Sequence, residues 1–324
     1  MKIGIVGTGT MGWVHAAAYR RMGADLVGAY DSDHERLDRF VRAYTVDPFN
    51  SYEEMLLRVD IADVTAPTYA HEELAVRAFE AGKDVILEKP LALTPDSGRR
   101  ILEAARANRR RLFVAMVVRF FPQYRKAAEL VHAGKLGRVG VVRLKRVLFP
   151  PGPEWYRDPE RSGGMPVDLM IHDLDYVRWL LGDPVRVFAR KSPPVDGATV
   201  EHVQALLGFA DGRMAFVEGG WAYPEGYFRT ALDIAGDRGL VEWSSDQAPP
   251  LTTLFPKGEP APEVGLPLAG LEEDPYEIEL RHALEAFERG KSFDVAPEDA
   301  LAALELALAV RESIASGRPV EVAS

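Results

Sequence analysis

The sequence predicts an α/β protein of two domains, a doubly wound parallel sheet followed by an α+β unit on a largely antiparallel, open sheet. Three observations carry this. Residues 1–120 alternate short apolar runs with helical stretches, the pattern of buried parallel strands covered by helices on both faces. After Arg119, apolar runs follow one another closely, and Asp211-Gly212 between two of them is a hairpin signal. The chain has 324 residues, more than one hydrophobic core usually supports. The expected division is 1–120 and 121–324.

In the first part, Ile3, Ile5 and Val6 mark a strand that runs into Gly7-x-Gly9-x-x-Gly12, followed by a helical pattern. A second strand over 26–30 ends at Asp31, and a helix is expected over 33–43. Ser51 is placed to cap a short helix from Tyr52. A strand over 61–65, a helix over 70–81 closed by Gly82, and a strand over 84–87 follow. Thr94 caps a helix with Pro95 at its first position, and 112–117 reads as a further buried strand. In the second part a helix over 123–133 ends near Gly134. Strands are expected over 140–148, 185–191, 200–209, 213–221, 230–234 and 240–243. Residues 249–270, rich in Pro and Gly, read as a surface loop, and two helices, 275–289 and 297–316, close the chain.

Strand, glycine turn and helix start together make a dinucleotide-binding loop. Gly7 permits the turn, Gly9 lets the backbone approach a pyrophosphate, and Gly12 allows close packing of helix on strand. The helix start, at Thr10 and Met11, offers unpaired N–H groups and the positive end of the helix dipole. Gly7, Gly9, Thr10, Met11 and Gly12 are therefore the expected phosphate-side contacts. Asp31 stands 19 residues past Gly12, placed to accept both hydroxyls of an adenosine ribose. Its carboxylate would repel a 2′-phosphate, so NAD is expected. Arg36, the first cation after it, keeps NADP open as the alternative.

Composition narrows the partners. With 39 basic and 49 acidic residues the net charge is −10, which argues against nucleic acid or anionic membrane. The basic run from Arg106 to Arg111 falls at a helix end, where positive charge suits the dipole. There is no cysteine, so disulfides, thiolate metal sites and a cysteine nucleophile are excluded. No metal-ligand spacing stands out, so no metal is expected. The N-terminus lacks a signal-peptide pattern and no apolar stretch reaches spanning length, so a soluble, cytoplasmic protein is expected.

Two further stretches carry chemistry. Glu88-Lys89-Pro90 follows a strand at its C-terminal end, the edge where an open α/β sheet binds ligands. A lysine there can donate to a substrate oxygen and stabilise charge on it, with Pro90 fixing the backbone through a cis bond; a solvated turn lysine is the plain alternative. Gly163-Gly164 opens a helix carrying Asp168 and His172, four residues apart and so on one face. Histidine is the natural proton carrier near neutral pH, although a lone histidine on an apolar helix is often structural.

These motifs, in this order, resemble the glucose–fructose oxidoreductase / inositol 2-dehydrogenase (Gfo/Idh/MocA) family over almost the full chain. The resemblance rests on Gly7-x-Gly9-x-x-Gly12, Thr65-x-Pro67 with His71, Glu88-Lys89-Pro90 and Arg119-Phe120. It continues through Asp168-x-x-x-His172 and Ser313-x-x-Ser316-Gly317-x-Pro319-Val320. It implies a Rossmann domain and a C-terminal sheet whose open face commonly forms a subunit interface, hence a homodimer or homotetramer. It also implies an NAD(P)-dependent dehydrogenase acting on CH–OH groups, moving a hydride between a nicotinamide and a sugar, cyclitol or related polyhydroxy substrate.

Carried over by position, Lys89, Asp168 and His172 match the family's catalytic trio. His172 takes the hydroxyl proton, Lys89 holds the same oxygen, and Asp168 orients substrate hydroxyls or His172. Glu88 matches a contact of the nicotinamide-side ribose; Thr65, Pro67 and His71 match a loop over the cofactor, and Lys89 borders it. His71 and His15 also read as structural. Arg119 matches a family arginine of varying role. Met116-Val117-Val118 stands where many members carry a polar residue, a departure that implies more apolar surroundings and puts a standard hexose in doubt. Trp155, Trp221 and Tyr223 are candidates for stacking on a sugar, or for core or interface. Two other activities share the fold: an NAD-retaining glycosidase and a non-catalytic NAD-binding sensor. A sensor has no need to keep the trio.

Overall fold

The computed structural model describes residues 1–192, 201–246 and 273–322. Its backbone separates into two compact units, 1–117 with 273–302, and 118–272 with 303–324.

The first unit holds a six-stranded parallel sheet with strands β1 (Ile3–Val6), β2 (Leu26–Tyr30), β3 (Asp47–Pro48), β4 (Ile61–Val64), β5 (Asp84–Glu88) and β6 (Leu112–Ala115), in the order β3-β2-β1-β4-β5-β6. Strands β1, β4 and β6 are buried at every position, as strands covered on both faces must be. The crossovers are helices α1 (Thr10–Met22), α2 (His34–Tyr44), α3 (Tyr52–Arg58), α4 (His71–Glu80) and α5 (Pro95–Ala107). Their starts are set locally: the Asp33, Ser51 and Thr94 side chains accept from Arg36, Glu54 and Ser97 N–H, each at 3.1 Å. The strand order reverses between β2-β1 and β4, which makes the carboxyl end of β1 the switch point where such sheets bind ligands.

Two features depart from the sequence reading. Residues 117–120 form a 3-10 turn, so β6 ends at Ala115, before Val117. The two-residue β3 was not anticipated; Asp47–Pro48 extends the sheet only because β2 lies beside it.

The second unit begins with α6 (Pro122–His132), followed by β7 (Val139–Leu148), a short α7 (Pro159–Ser162), α8 (Ile171–Leu181), β8 (Arg186–Lys191), β9 (Glu201–Gly208), β10 (Met214–Trp221), β11 (Phe228–Gly236) and β12 (Gly239–Ser244). The C-terminal segment adds α9 (Pro275–Arg289), α10 (Pro297–Ser316) and β13 (Val320–Glu321). The sheet order is β12-β11-β7-β10-β9-β8-β13, antiparallel except between β7 and β10. One face is covered: in β10, Ala215 and Val217 are buried while Met214 and Phe216 are each 41% exposed. The loop expected over 249–270 lies outside the described residues, as does Val200 at the expected start of β9.

Helix α9 belongs to the first unit and packs on α1. Arg21 Nε donates to Glu277 at 3.0 Å and its Nη2 pairs with Asp274; Arg111 Nη1 donates to the Ala286 carbonyl at 2.5 Å. No helix among the described residues is long and apolar enough to cross a membrane.

Candidate cofactor and active site

The glycine turn is shaped by contacts that exclude side chains. Gly7 has φ +97°, and a Cβ there would stand 2.6 Å from the Ala66 backbone. A Cβ on Gly12 would stand 2.4 Å from the Gly7 carbonyl oxygen. Gly9 differs, having no heavy atom within 4 Å of where a Cβ would be. That leaves its backbone open to an approaching ligand. Helix α1 starts here with no side-chain cap and no acidic residue in its first turn, so Thr10 and Met11 stand at an uncompensated positive helix end.

Neighbouring strand ends brace the turn. Thr65, just past β4, donates its N–H to the Val6 carbonyl at 3.0 Å and its hydroxyl to the Gly7 carbonyl at 2.6 Å. Asp31, just past β2, accepts from the Thr8 N–H at 2.6 Å and the Thr8 hydroxyl at 2.8 Å on Oδ2, and from the Asp33 N–H at 2.8 Å on Oδ1. A carboxylate offers about four lone-pair sites, so acceptor capacity for a ribose remains. Arg36 Nε lies 3.2 Å from Asp33 Oδ2, an ion pair that turns it to Asp33. An open Gly9 backbone, an uncapped helix start and a braced Asp31 fit a dinucleotide.

Pro67 leads into a 3-10 turn over Thr68–Ala70. His71, also among the expected cofactor contacts, packs between two loops. It is buried, with Nδ1 2.8 Å from the Pro90 carbonyl and Nε2 3.0 Å from the Ala66 carbonyl. Both nitrogens face backbone carbonyls and the neutral ring donates to one of them, which links His71 to the neighbouring loops. Burial pushes its pKa down, against the two carbonyls, which favour the proton.

Glu88 is the last residue of β5, at the same carboxyl edge of the sheet as the glycine turn, Asp31 and Thr65. Lys89 follows, and the Lys89–Pro90 peptide is cis. The Glu88 carboxylate accepts from the Lys89 N–H at 3.0 Å and meets His15 Nε2 at 3.1 Å.

Asp168 and His172 lie in the second unit. The expected regular helix is replaced by a π-helical turn, Pro166–Met170, leading into α8. Asp168 sits on the π turn, 8% exposed, and His172 in the first turn of α8. The i, i+4 face of a single α-helix is therefore not what relates them. Such π insertions recur at functional sites, because the extra residue redirects a side chain. Gly163 makes the entry possible: at φ +80°, its missing Cβ would stand 2.6 Å from the Val167 side chain.

The next two aspartates of the His172-Asp173-Leu174-Asp175 run anchor the helix. Arg119 donates from Nε to Asp175 Oδ2 at 2.7 Å and from Nη2 to Oδ1 at 2.5 Å. Arg146 donates to Asp173 at 2.7 and 3.2 Å. Arg119 thus has a structural partner, and Met116, Val117 and Val118 before it are buried. Trp155 stacks on Tyr156 at 3.9 Å and Tyr223 on Tyr227 at 4.9 Å, while Trp221 is buried. The sequence reading missed Asp63 and Glu279, both fully buried. An aspartate within the apolar run 61–64 was the available signal for the first; Glu279 had none, since its environment is supplied by strands far away in the chain.

A parallel sheet with this switch point and this glycine turn defines a dinucleotide-binding domain. Residues 1–116 match the family model described as "Oxidoreductase family, NAD-binding Rossmann fold", and residues 124–242 match the GFO/IDH/MocA C-terminal domain. The chain is 27% identical over 336 residues to inositol 2-dehydrogenase of Rhizobium meliloti (strain 1021), covering 100% of this chain and 99% of that protein. It is 30% identical over 257 residues to myo-inositol dehydrogenase Hyg17 of Streptomyces leeuwenhoekii, covering 75% and 76%. The crystal structure of GenD2 from gentamicin A biosynthesis, in complex with NAD, is similar at a TM-score of 0.88 with 27% identity, covering 100% of this chain and 97% of that one. The chain belongs to the Gfo/Idh/MocA family, and it is an NAD-dependent oxidoreductase.

Proposed function

We propose that this enzyme transfers a hydride between NAD and a CH–OH group of a sugar, cyclitol or related polyhydroxy compound, with Lys89, Asp168 and His172 as its catalytic residues. One observation carries the reading: Lys89 directly follows Glu88 at the sheet edge that also holds the glycine turn and Asp31. The relatives named as inositol dehydrogenases support the substrate class.

Bound NAD supplies the hydride acceptor at its nicotinamide. The remaining tasks fall to side chains. Gly7, Gly9, Thr10, Met11 and Gly12 hold the pyrophosphate through backbone N–H groups and the end of α1. Asp31 takes the adenosine ribose hydroxyls and disfavours NADP. Glu88 takes the nicotinamide-side ribose, and Thr65 and Pro67 border it. His172 removes the hydroxyl proton of the substrate. Lys89 donates to a substrate oxygen, stabilising charge as it develops. Asp168 orients substrate hydroxyls or His172.

The second sheet supports a homodimer or homotetramer. Met214 and Phe216, each 41% exposed, and Leu240, 54% exposed, project from its uncovered face. The charges around them are self-paired, Lys145 with Glu218 at 2.8 Å and Arg143 with Asp233 at 3.1 Å. The part over 121–324 would then serve substrate binding and association, and the protein would work in the cytoplasm. Light scattering of the purified protein tests the association.

The deciding experiment adds cyclitols, aldoses and sugar acids to enzyme with NAD and follows NADH absorbance. Sustained NADH release with one of them is expected. Glycoside hydrolysis without NADH release would instead make it an NAD-retaining glycosidase, and binding without either would make it a sensor.

A further inference from the structure

The first unit contains a buried group of ionisable side chains of which only Glu88 has a role above. His15 and Tyr19 lie one turn apart on α1, Asp63 lies within β4, Glu88 ends β5, and Glu279 comes from α9. All are buried, and Glu88 alone has measurable exposure, 5% against 0% for the others. His15 Nδ1 stands 2.9 Å from Asp63 Oδ2, and its Nε2 stands 3.1 Å from Glu88 Oε1. A neutral imidazole donates from one nitrogen only, so an imidazole facing carboxylates on both sides is satisfied as the imidazolium. Tyr19 donates its hydroxyl to Asp63 Oδ2 at 2.8 Å, holding that carboxylate from behind. On the far side, Glu88 Oε2 accepts the Lys89 N–H at 3.0 Å.

Charges in a core are costly, and apolar replacement of a buried ion pair is often neutral or stabilising. A chain of three charged groups here is therefore not explained by stability. Its direction is informative. Anchored at Asp63 and Tyr19 inside the unit, it emerges at Glu88, beside Lys89, on the ligand-binding edge of the sheet. We propose that His15 is a positioning residue for the cofactor site, its imidazolium clamping the Glu88 carboxylate while the Lys89 backbone holds the other oxygen. Glu88 is then presented in one orientation to the nicotinamide-side ribose, and the start of the Lys89 turn is fixed with it. This rests on the reading of Glu88 as a ribose contact. Burial raises the Glu279 carboxyl well above the usual range, with the Glu88 and Asp63 charges adding to this and His15 opposing it. Burial lowers the His15 pKa by itself, but the charges and hydrogen bonds of Asp63 and Glu88 outweigh this and raise it well above the ordinary histidine range.

The test combines binding, kinetics and spectroscopy on the full chain. NAD dissociation constants are measured for the unaltered protein, Glu88→Ala, His15→Leu, His15→Gln and the Glu88→Ala/His15→Leu double variant. Glu88→Ala is expected to weaken NAD binding by about tenfold or more, the size of a lost hydrogen bond to a charged group. His15→Leu weakens it comparably, the double variant is no worse than either single one, and His15→Gln, which still donates to Glu88, recovers part of the loss. For His15→Leu, KM for NAD rises by a larger factor than kcat falls, the split expected when cofactor binding is what is lost. Nitrogen-15 spectra of the unaltered protein at neutral pH show both His15 ring nitrogens protonated, a readout that survives if a variant fails to fold. A neutral His15 overturns the proposal, as does His15→Leu with unchanged NAD affinity while Glu88→Ala loses it. Unchanged affinity in Glu88→Ala would instead remove the ribose contact itself, and the proposal with it.

Discussion

Asp31 and Thr8 are locked together: one carboxylate oxygen of Asp31 accepts both the backbone N–H of Thr8, at 2.6 Å, and its hydroxyl, at 2.8 Å. The residue proposed to discriminate between cofactors therefore also braces the loop proposed to hold their phosphates. The two tasks separate on mutation. The unaltered enzyme is expected to prefer NAD over NADP by at least about a hundredfold, because a 2′-phosphate against an unpaired carboxylate costs on the order of a few kcal/mol. Asp31→Asn keeps an acceptor for Thr8 and narrows that gap. Asp31→Ala narrows it too and weakens NAD binding as well, the loop having lost its brace. Paired titrations with NAD and NADP check this, and tighter NADP binding by the unaltered protein would reverse the assignment.

The glycines of the turn divide by environment. Gly7→Ala forces a side chain to within 2.6 Å of the Ala66 backbone at a positive φ. Strain of about 1–3 kcal/mol lowers Tm by roughly 3–10 °C and abolishes NAD binding. Gly9→Ala meets nothing within 4 Å, so Tm stays within about 2 °C while NAD affinity falls by about tenfold or more. Thermal unfolding with and without NAD distinguishes a fold glycine from a ligand glycine.

His172→Ala and Lys89→Met are expected to lower kcat by roughly 10²–10⁴ and leave NAD affinity nearly intact, the signature of groups that act on the substrate oxygen. Steady-state kinetics with the substrate found in the NADH screen check this. Normal turnover by either variant would remove that residue from the mechanism.

Glu279 gives a pH signature in stability. Burial pushes its carboxyl well above the usual range; the Glu88 charge adds to this, His15 opposes it and Asp63 adds again. The folded protein therefore keeps a proton that the unfolded chain releases near pH 4.5. The contribution is intact below that pH and declines as pH rises toward the folded value. Glu279→Gln, neutral throughout, removes the decline. Tm curves of the two proteins should lie close at pH 4 and diverge with rising pH, the variant becoming the more stable; parallel curves would show that Glu279 is ionised when folded.

Arg119 and Asp175 form a buried bidentate pair, so Asp175→Ala leaves a guanidinium without its carboxylate and is expected to cost about 3–5 kcal/mol in urea unfolding. Arg119→Met with Asp175→Leu recovers most of that loss. A single variant as stable as the unaltered protein would show that the pair does not hold α8.

Local chemistry made much of this molecule legible in the chain. The parallel order of the first unit follows from alternating periodicity, the turn from three glycines, and the helix starts from Asp33, Ser51 and Thr94, because each depends on neighbours a few residues away. Asp31 and Glu88-Lys89-Pro90 were placed correctly at the carboxyl edge, since a strand's end is visible in sequence. What the tertiary structure decided involves partners distant in the chain. His71 lies between the Ala66 and Pro90 carbonyls, and α9 joins α1 although more than 250 residues separate Arg21 from Asp274. The π turn at Asp168 appears only when the backbone closes over Gly163, whose neighbour Val167 leaves no room for a side chain. The ionic chain from Asp63 through His15 to Glu88 needs two strands and a helix brought together in a place without water, where each charge is tolerated only because the next one faces it.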